Sequence, residues 1–542
     1  MAIRSVTLYS SGTFLCSLAA VALAAGCLDF DDRSLDPGQT GGNAGSAGVS
    51  GAGAGAGGAA AGSGGASGAS AGSAAGGNGG IGGASGYGGS AGGLAAMGGM
   101  AGAGGATGGA PMGGAAGIGG AGSSAGGSSA SGGGSGDAGS GAGTAGSAGS
   151  GNPEVYNPDF VEDYGADCEV AEPMDVNEPT LPDLFEKLDG TRMTMKSEWR
   201  CRRAEIKRIV EKYIHGTKPP KPQTVTGTVS ATSISVHVEH EGESIDFSVS
   251  VSIPNGATRP APAIIGLGGG SLRRSILDEE GVALINYNNN SLANEGTRNG
   301  LFTDIYGSTG ASAQVGWAWG VSRILDVLIA EKEAGRNDLI DPTGIGVTGC
   351  SRLGKGAFTI GAFDERIALG IPHESGTGGV SAFRIVNEAP VGPNGQPAQS
   401  LSSAWTEAQG WFGTAFGNYR MNVNAIPGDT HSLVAMYAPR GLLVLDNSRI
   451  GELGSSAQHA ATAAGAKVFE ALGVGANVAY HGGRAMDPHM HCSFYDEQAE
   501  PLRRAIRAHL TRTAEPDGRM EPQPAGTADL EEWIPWDAPA LQ

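Results

Sequence analysis

The stretch GVTGCSRLGKGAF (346–358) puts a serine at the end of a β-branched run and at the start of a small-residue segment. In that position a serine sits on a tight strand-to-helix turn. Its hydroxyl stands clear of the sheet, near the positive end of the helix. The backbone N–H of Arg352 then points at a developing oxyanion, and Gly349 lets the neighbouring backbone approach closely. The spacing departs from the hydrolase elbow G-x-S-x-G, because the second glycine, Gly354, comes one residue late. Ser351 is therefore either an acyl-transfer nucleophile or a serine that caps a helix N-terminus.

A nucleophile of this kind needs a base and an acid to orient the base. Three carboxylates stand just past strand-like runs: Glu374 in GIPHESGTGG, Asp446 in GLLVLDN, and Glu452 a little beyond. Chain order does not choose among them. The segment HGGRAMDPHMHCSF (481–494) lies where a hydrolase base belongs and offers His481, His489 and His491. Asp487, His489 and His491 also suggest a metal site, but no distant His/Cys set completes a tetrahedral shell. If Cys350 were bonded to Cys492, a Cα separation of about 5.5–6 Å would bring Ser351 and His491 together. The run GLGGGS (266–271) can cradle a phosphate, yet the next strand ends in NYNNN with no acidic ribose ligand. A backbone turn near the oxyanion pocket suits it better.

The elements that must carry these residues follow from periodicity. SEWRCRRAEIKRIVEKYIHG (197–216) has apolar residues at helical spacing and a glycine stop. TVTGTVSATSISVHVEHE and ESIDFSVSVSIP alternate with period two and read as antiparallel strands. Short apolar runs at 261–270, 281–288, 345–349, 367–372, 441–447 and 476–481 read as buried parallel strands. Helical patterns at 312–335, 351–363, 456–473 and 500–512 alternate with them. The order implies a doubly wound, mainly parallel sheet in a three-layer sandwich, with ligands beyond the carboxyl ends of its strands.

Upstream the composition changes. Of the 542 residues 97 are Gly, concentrated before residue 153 among Ala and Ser, where too few large apolar side chains exist to offset the entropy of ordering. Residues 28–153 read as a disordered tether; strict every-third glycine is lacking, so collagen is excluded, and a silk-like β-stack is the structural rival. Residues 1–27 carry Arg4, an apolar stretch and Leu23-Ala24-Ala25-Gly26-Cys27, which resembles a bacterial lipobox with Cys27 as the lipidated residue. Simple cleavage near Ala25 is the alternative. Residues 154–542 suffice for one large catalytic domain. The net charge of −20 argues against nucleic acid as a partner. Cys168, Cys201, Cys350 and Cys492 remain for an exported domain, enough for two disulfides with three possible pairings.

GCSRLGKGA, HESGTGG and HCSF together resemble the glucuronoyl esterases, carbohydrate esterase family 15, over most of residues 165–515. The resemblance implies an α/β-hydrolase-like fold with Ser351 as nucleophile, Glu374 as acid, His491 as base and Arg352 at the oxyanion. Asp446 and Glu452 are the alternative acids. It implies sugar contacts from Lys355, four residues after the serine, and from Gln399 and Glu407, eight residues apart and shortly before Trp411-Phe412. It also implies a Cys350–Cys492 disulfide, with Cys168–Cys201 as the second bridge. One departure stands out: NSRIGELGSS holds Glu452 about where many members carry a sugar-binding Trp. The implied reaction is hydrolysis, through an acyl-enzyme, of the ester between (4-O-methyl-)glucuronic acid of glucuronoxylan and a lignin alcohol. No metal or organic cofactor is expected, and the protein is expected to be a monomer, secreted or on the bacterial outer surface. The rivals are an exported acetyl or feruloyl esterase and a non-catalytic surface glycan-binding lipoprotein.

Overall fold

The computed structural model describes residues 156–483 and 490–542. The expected signal, Cys27, the tether, Asp487 and His489 lie outside the described residues.

The alternating segments form an antiparallel meander of β1 (Thr224–Val229), β2 (Ser233–His240) and β3 (Glu243–Ser252). In β2, Ile234, Val236 and Val238 are buried while Ser233 and Ser235 face out, as period two requires. The stretch TVTGTVSATSISVHVEHE reads as one strand but folds as two. Ser230 ties its backbone N–H and hydroxyl to Ser233 O, at 2.8 and 2.9 Å, and reverses the chain.

The apolar runs become β4 (Ala261–Leu267), β5 (Ala283–Tyr287), β6 (Ile340–Cys350), β7 (Leu369–His373), β8 (Gly441–Leu445) and β9 (Val478–His481). A short β10 (Met520–Glu521) completes one ten-stranded sheet among the described residues, in the order β1-β2-β3-β5-β4-β6-β7-β8-β9-β10. From β5 to β10 every pairing is parallel. Successive residues of a strand face opposite sides, so a central strand such as β8 feeds two cores. Leu442 and Val444 join one core, and Leu443 and Leu445 the other.

The helices α1 (Trp199–Val210), α2 (Ala313–Glu333), α3 (Arg352–Phe363) and α5 (Ser455–Leu472) contribute to the larger core. The smaller core is closed by Arg274–Glu279 and α6 (Ala499–His509), through Ile276, Leu277, Leu502 and Ile506. This is the expected three-layer, α/β-hydrolase-like arrangement. A short α4 (Leu401–Glu407) lies in the long β7–β8 connection, which carries no periodic signal of its own.

Register decides what meets at the rim. Cys350 pairs with His373, His373 with Leu445, and Leu445 with His481. The carboxyl ends of β6 to β9 are therefore level, and the next residues, Ser351, Glu374 and Asp446, emerge side by side.

Helices α2 and α3 pack closely because Gly356 leaves room for the Trp317 ring. A Cβ on Gly356 would lie 2.5 Å from Trp317 Cε3. Gly356→Ala is expected to lower stability by about 1–2 kcal/mol in urea unfolding, overpacking outweighing the gain in helix propensity. An increase in stability would contradict this close packing.

Candidate active site

Ser351 follows the last residue of β6 and precedes α3. Its φ is +56° and ψ −125°, left-handed and costly for a residue with a Cβ. Two neighbours hold it there: its N–H donates to His373 O at 2.9 Å, and its carbonyl accepts from Lys355 N at 3.0 Å. The Ser351 hydroxyl makes no capping hydrogen bond to the helix. That removes the helix-cap role as the reason for a serine here.

The late glycine has a packing reason. A Cβ on Gly354 would lie 2.6 Å from His373 O, the same carbonyl that receives the Ser351 N–H. A Cβ on Gly349 would lie 2.4 Å from Leu353 O. Both glycines let the start of α3 press against the ends of β6 and β7.

Glu374 follows β7 directly and is fully buried, with φ +46°. Its N–H donates to Leu445 O at 2.7 Å. Oε2 accepts from His491 Nδ1 at 2.6 Å and from Cys492 N at 2.7 Å, and Oε1 accepts from Asn447 Nδ2 at 3.2 Å. Burial pushes this carboxyl up, but the hydrogen bonds from His491 and Cys492 and the field of His373 outweigh it and leave it below the usual value. A carboxylate only accepts, so Nδ1 of His491 carries the proton and Nε2 is free to accept one. The His491 side chain is 37% exposed.

The three candidate acids now separate. Asp446 is buried, and its oxygens are taken by Gln458 Nε2 at 2.6 Å and Tyr480 OH at 2.7 Å. Burial pushes its pKa up. Glu452 is exposed on the Gly451–Leu453 turn. Of the three acids, Glu374 is the one hydrogen-bonded to His491 among the described residues. His481 instead faces Glu521, Nδ1 to Oε2 at 3.1 Å.

Two disulfides brace the domain. Cys350–Cys492 spans a Cα distance of 5.6 Å and joins the residue before Ser351 to the residue after His491. Cys168–Cys201 spans 6.0 Å and ties the N-terminal segment to α1. Both are the pairings expected. The Cys350 and Cys492 sulfurs, the Glu374 carboxylate and the His491 ring lie within 4.8 Å of one another. The sulfurs are bonded to each other and so are not free as metal ligands.

Ser351 and His491 line one open cleft of about 700 Å³, together with Lys355, Gln399, Glu407, Trp411 and Glu452. No hydrogen bond joins Ser351 Oγ to His491 among the described residues. Such bonds are often long in unliganded sites. Lys355 is buried, donates to Ser375 O at 2.6 Å and stands 4.7 Å from the centre of the Trp411 ring. Burial pushes its pKa down to about 8, against the opposing pull of Glu407 and Glu295. Gln399 Nε2 donates to Glu407 Oε2 at 2.5 Å, so these two form one unit.

Sequence reasoning missed Glu295, which lies after β5 in a loop without a motif. Its Oε1 accepts from Arg352 Nη1 and its Oε2 from Trp411 Nε1, both at 2.8 Å. It also missed Asn447 and His373. His373 is buried, with Nδ1 2.8 Å from Ser271 Oγ, and so joins the GLGGGS turn to the acid. That turn has three successive glycines with positive φ and abuts α3: a Cβ on Gly268 would lie 2.7 Å from Leu353 Cδ1.

Residues 236–473 match a family model described as glucuronyl esterase, fungi. The chain is 39% identical over 366 residues to 4-O-methyl-glucuronoyl methylesterase of Hypocrea jecorina, covering 67% of this chain and 76% of that one. A mutant glucuronoyl esterase of Sporotrichum thermophile, solved in complex with methyl 4-O-methyl-β-D-glucopyranuronate, is similar with a TM-score of 0.63 and 35% identity. That match covers 70% of this chain and 100% of the other. A carbohydrate esterase family 15 enzyme from Caldicellulosiruptor kristjansonii matches with a TM-score of 0.58 and 27% identity, over 66% of this chain and 97% of the other.

The disulfides close loops of different length, with sequence separations of 142 for Cys350–Cys492 and 33 for Cys168–Cys201. Paired Cys→Ser replacement of the longer loop is expected to cost ~1 kcal/mol more than that of the shorter, on the chain-entropy scale. Urea midpoints of the two double variants check this order.

Proposed function

The chain belongs to the glucuronoyl esterase family, carbohydrate esterase family 15, and we propose the following division of labour for its hydrolysis of glucuronic acid esters. Ser351 attacks the uronate carbonyl while His491 Nε2 takes its proton. Glu374 holds the imidazole in the tautomer that leaves Nε2 free and balances the charge that forms on it. The Arg352 N–H, with its guanidinium nearby, stabilises the oxyanion at the start of α3. His491 then gives the proton to the departing alcohol, and water releases the acyl group by the reverse path.

The observation that carries this reading is the 2.6 Å contact of His491 Nδ1 with a buried, multiply hydrogen-bonded Glu374, in the cleft that an uncapped Ser351 lines. Lys355, Gln399 and Glu407 hold the sugar. One buried cation and a coupled amide–carboxylate pair suit a polyhydroxylated ring better than an acetyl group or an aromatic acid. The alcohol is a lignin alcohol and the acid a decoration of glucuronoxylan. Residues 1–27 serve as an export signal ending at a lipidated Cys27, residues 28–153 as a tether, and residues 154–542 as a catalytic domain working as a monomer outside the cell. Composition alone supports these last assignments.

The test compares hydrolysis of benzyl glucuronate with that of acetylated xylan. A preference for the glucuronate ester is expected, and a preference for acetyl groups sinks the assignment. Ser351→Ala is expected to lower kcat by on the order of 10⁶, and Glu374→Gln by about 10⁴. Unchanged turnover in either variant would remove that residue from the mechanism, and a folded protein without any esterase activity would favour a glycan-binding role.

With burial pushing its pKa down to about 8, the Lys355 amine is expected to lose its charge as pH rises through that value. KM for a glucuronate ester is expected to rise as pH passes through that value. The rise is expected to disappear in Lys355→Met, whose KM is high throughout.

A further inference from the structure

The charged groups of the cleft are mostly spoken for. Glu407 holds Gln399, Glu374 holds His491, Lys355 lies on Ser375 O, and Arg352 pairs with Glu295. Glu452 is different: among the described residues its carboxylate has neither a hydrogen bond nor an ion pair, and it lines the same cleft as Ser351 and His491.

A solvated surface glutamate would be the plain explanation, but the support under Glu452 is rigid. Its carbonyl accepts from Gln399 N at 3.0 Å. The next carbonyl, of the buried Leu453, accepts from Ser381 Oγ at 2.7 Å. Gly451 N donates to Asn394 Oδ1 at 3.2 Å, and a Cβ on Gly451 would lie 2.0 Å from Gln396 O. Leu453 also sits against Gly376, two residues past the acid, with 3.4 Å between its Cδ2 and a Cβ built on that glycine. The backbone that bears the carboxylate is thus fixed in a turn packed against the loop that carries Glu374.

A carboxylate can only accept hydrogen bonds. In a hexuronate ester the reacting carbonyl is borne by C5, whose ring neighbours are the ring oxygen and C4. The 4-hydroxyl is therefore the ring donor closest to the reacting centre. We infer that Glu452 is a specificity residue that accepts a hydrogen bond from the sugar 4-hydroxyl and so favours uronate esters with that hydroxyl free over those carrying a 4-O-methyl group. The inference rests on the esterase reading above. A methyl ether has no proton to give, so a 4-O-methyl substrate forfeits a charge-assisted bond and crowds the carboxylate.

The experiment measures kcat/KM for methyl glucuronate and methyl 4-O-methyl-glucuronate with wild type, Glu452→Gln and Glu452→Leu. Wild type is expected to favour the free-hydroxyl ester by about tenfold, the scale of one charged hydrogen bond in an open cleft. Glu452→Leu is expected to erase the preference by losing rate on the free-hydroxyl ester, with Glu452→Gln, an isosteric replacement, in between. The ratio within each variant is insensitive to a loss of folded protein. A wild-type ratio of one, a preference for the 4-O-methyl ester, or a ratio unmoved in Glu452→Leu overturns the role of Glu452 while Ser351-dependent hydrolysis leaves the esterase reading intact. Hydrolysis of neither ester by wild type overturns both.

Discussion

The buried carboxylate of Glu374 is the constraint around which the site is arranged. A lone carboxylate at this depth would pick up a proton, because burial disfavours its charge. Here the His491 ring, the Cys492 N–H and the Asn447 amide all donate to it, and His373 stands 3.7 Å away. The donors come from the turn after β8 and the loop after β9, while the carboxylate itself and His373 stand at the end of β7. Satisfying one charge therefore docks three segments onto one another, and His491 is oriented as part of that docking.

Holding the segments together strains the backbone. Seven non-glycine residues among the described ones have positive φ, and Ser351, Glu374 and Cys492 are three of them. Conformations of this kind persist only where the surroundings over-determine them. The surroundings here are specific: the shared His373 carbonyl under Ser351 and Gly354, the Leu445 carbonyl under Glu374, and the Cys350–Cys492 crosslink. In the proposed mechanism this strain buys a hydroxyl that no helix N–H captures and an imidazole with one nitrogen already committed.

The electrostatics of the cleft follow the same economy. Lys355 is buried and its charge is disfavoured, yet Glu407 and Glu295 stand close enough to offset part of that cost. Glu295 also ties Arg352 to the Trp411 indole. One carboxylate thus links the helix that begins at the serine to the Trp411 wall of the cleft. That wall and the start of α3 are in this way parts of one hydrogen-bonded assembly.

Much of this was legible in the linear chain. Period-two and apolar runs gave the mainly parallel sheet, and GCSRLGKGA, HESGTGG and HCSF pointed to the family, because strand burial and turn chemistry are local properties. The split of the 224–240 stretch into two strands was not legible, since a serine-built turn leaves the alternation almost unbroken. Chain order did not distinguish Glu374 from Asp446 and Glu452, since all three follow strand-like segments, and the resemblance alone pointed to Glu374. Only the level register of β6 to β9, the left-handed turn at Glu374 and the prior claim of Gln458 and Tyr480 on Asp446 separate them. Glu295 and Asn447 carried no signal, because their partners are far away in sequence. Residue types and local spacing thus determined which chemistry this protein carries. The tertiary structure decided which carboxylate serves the histidine, because hydrogen bonding depends on distances that chain order does not set.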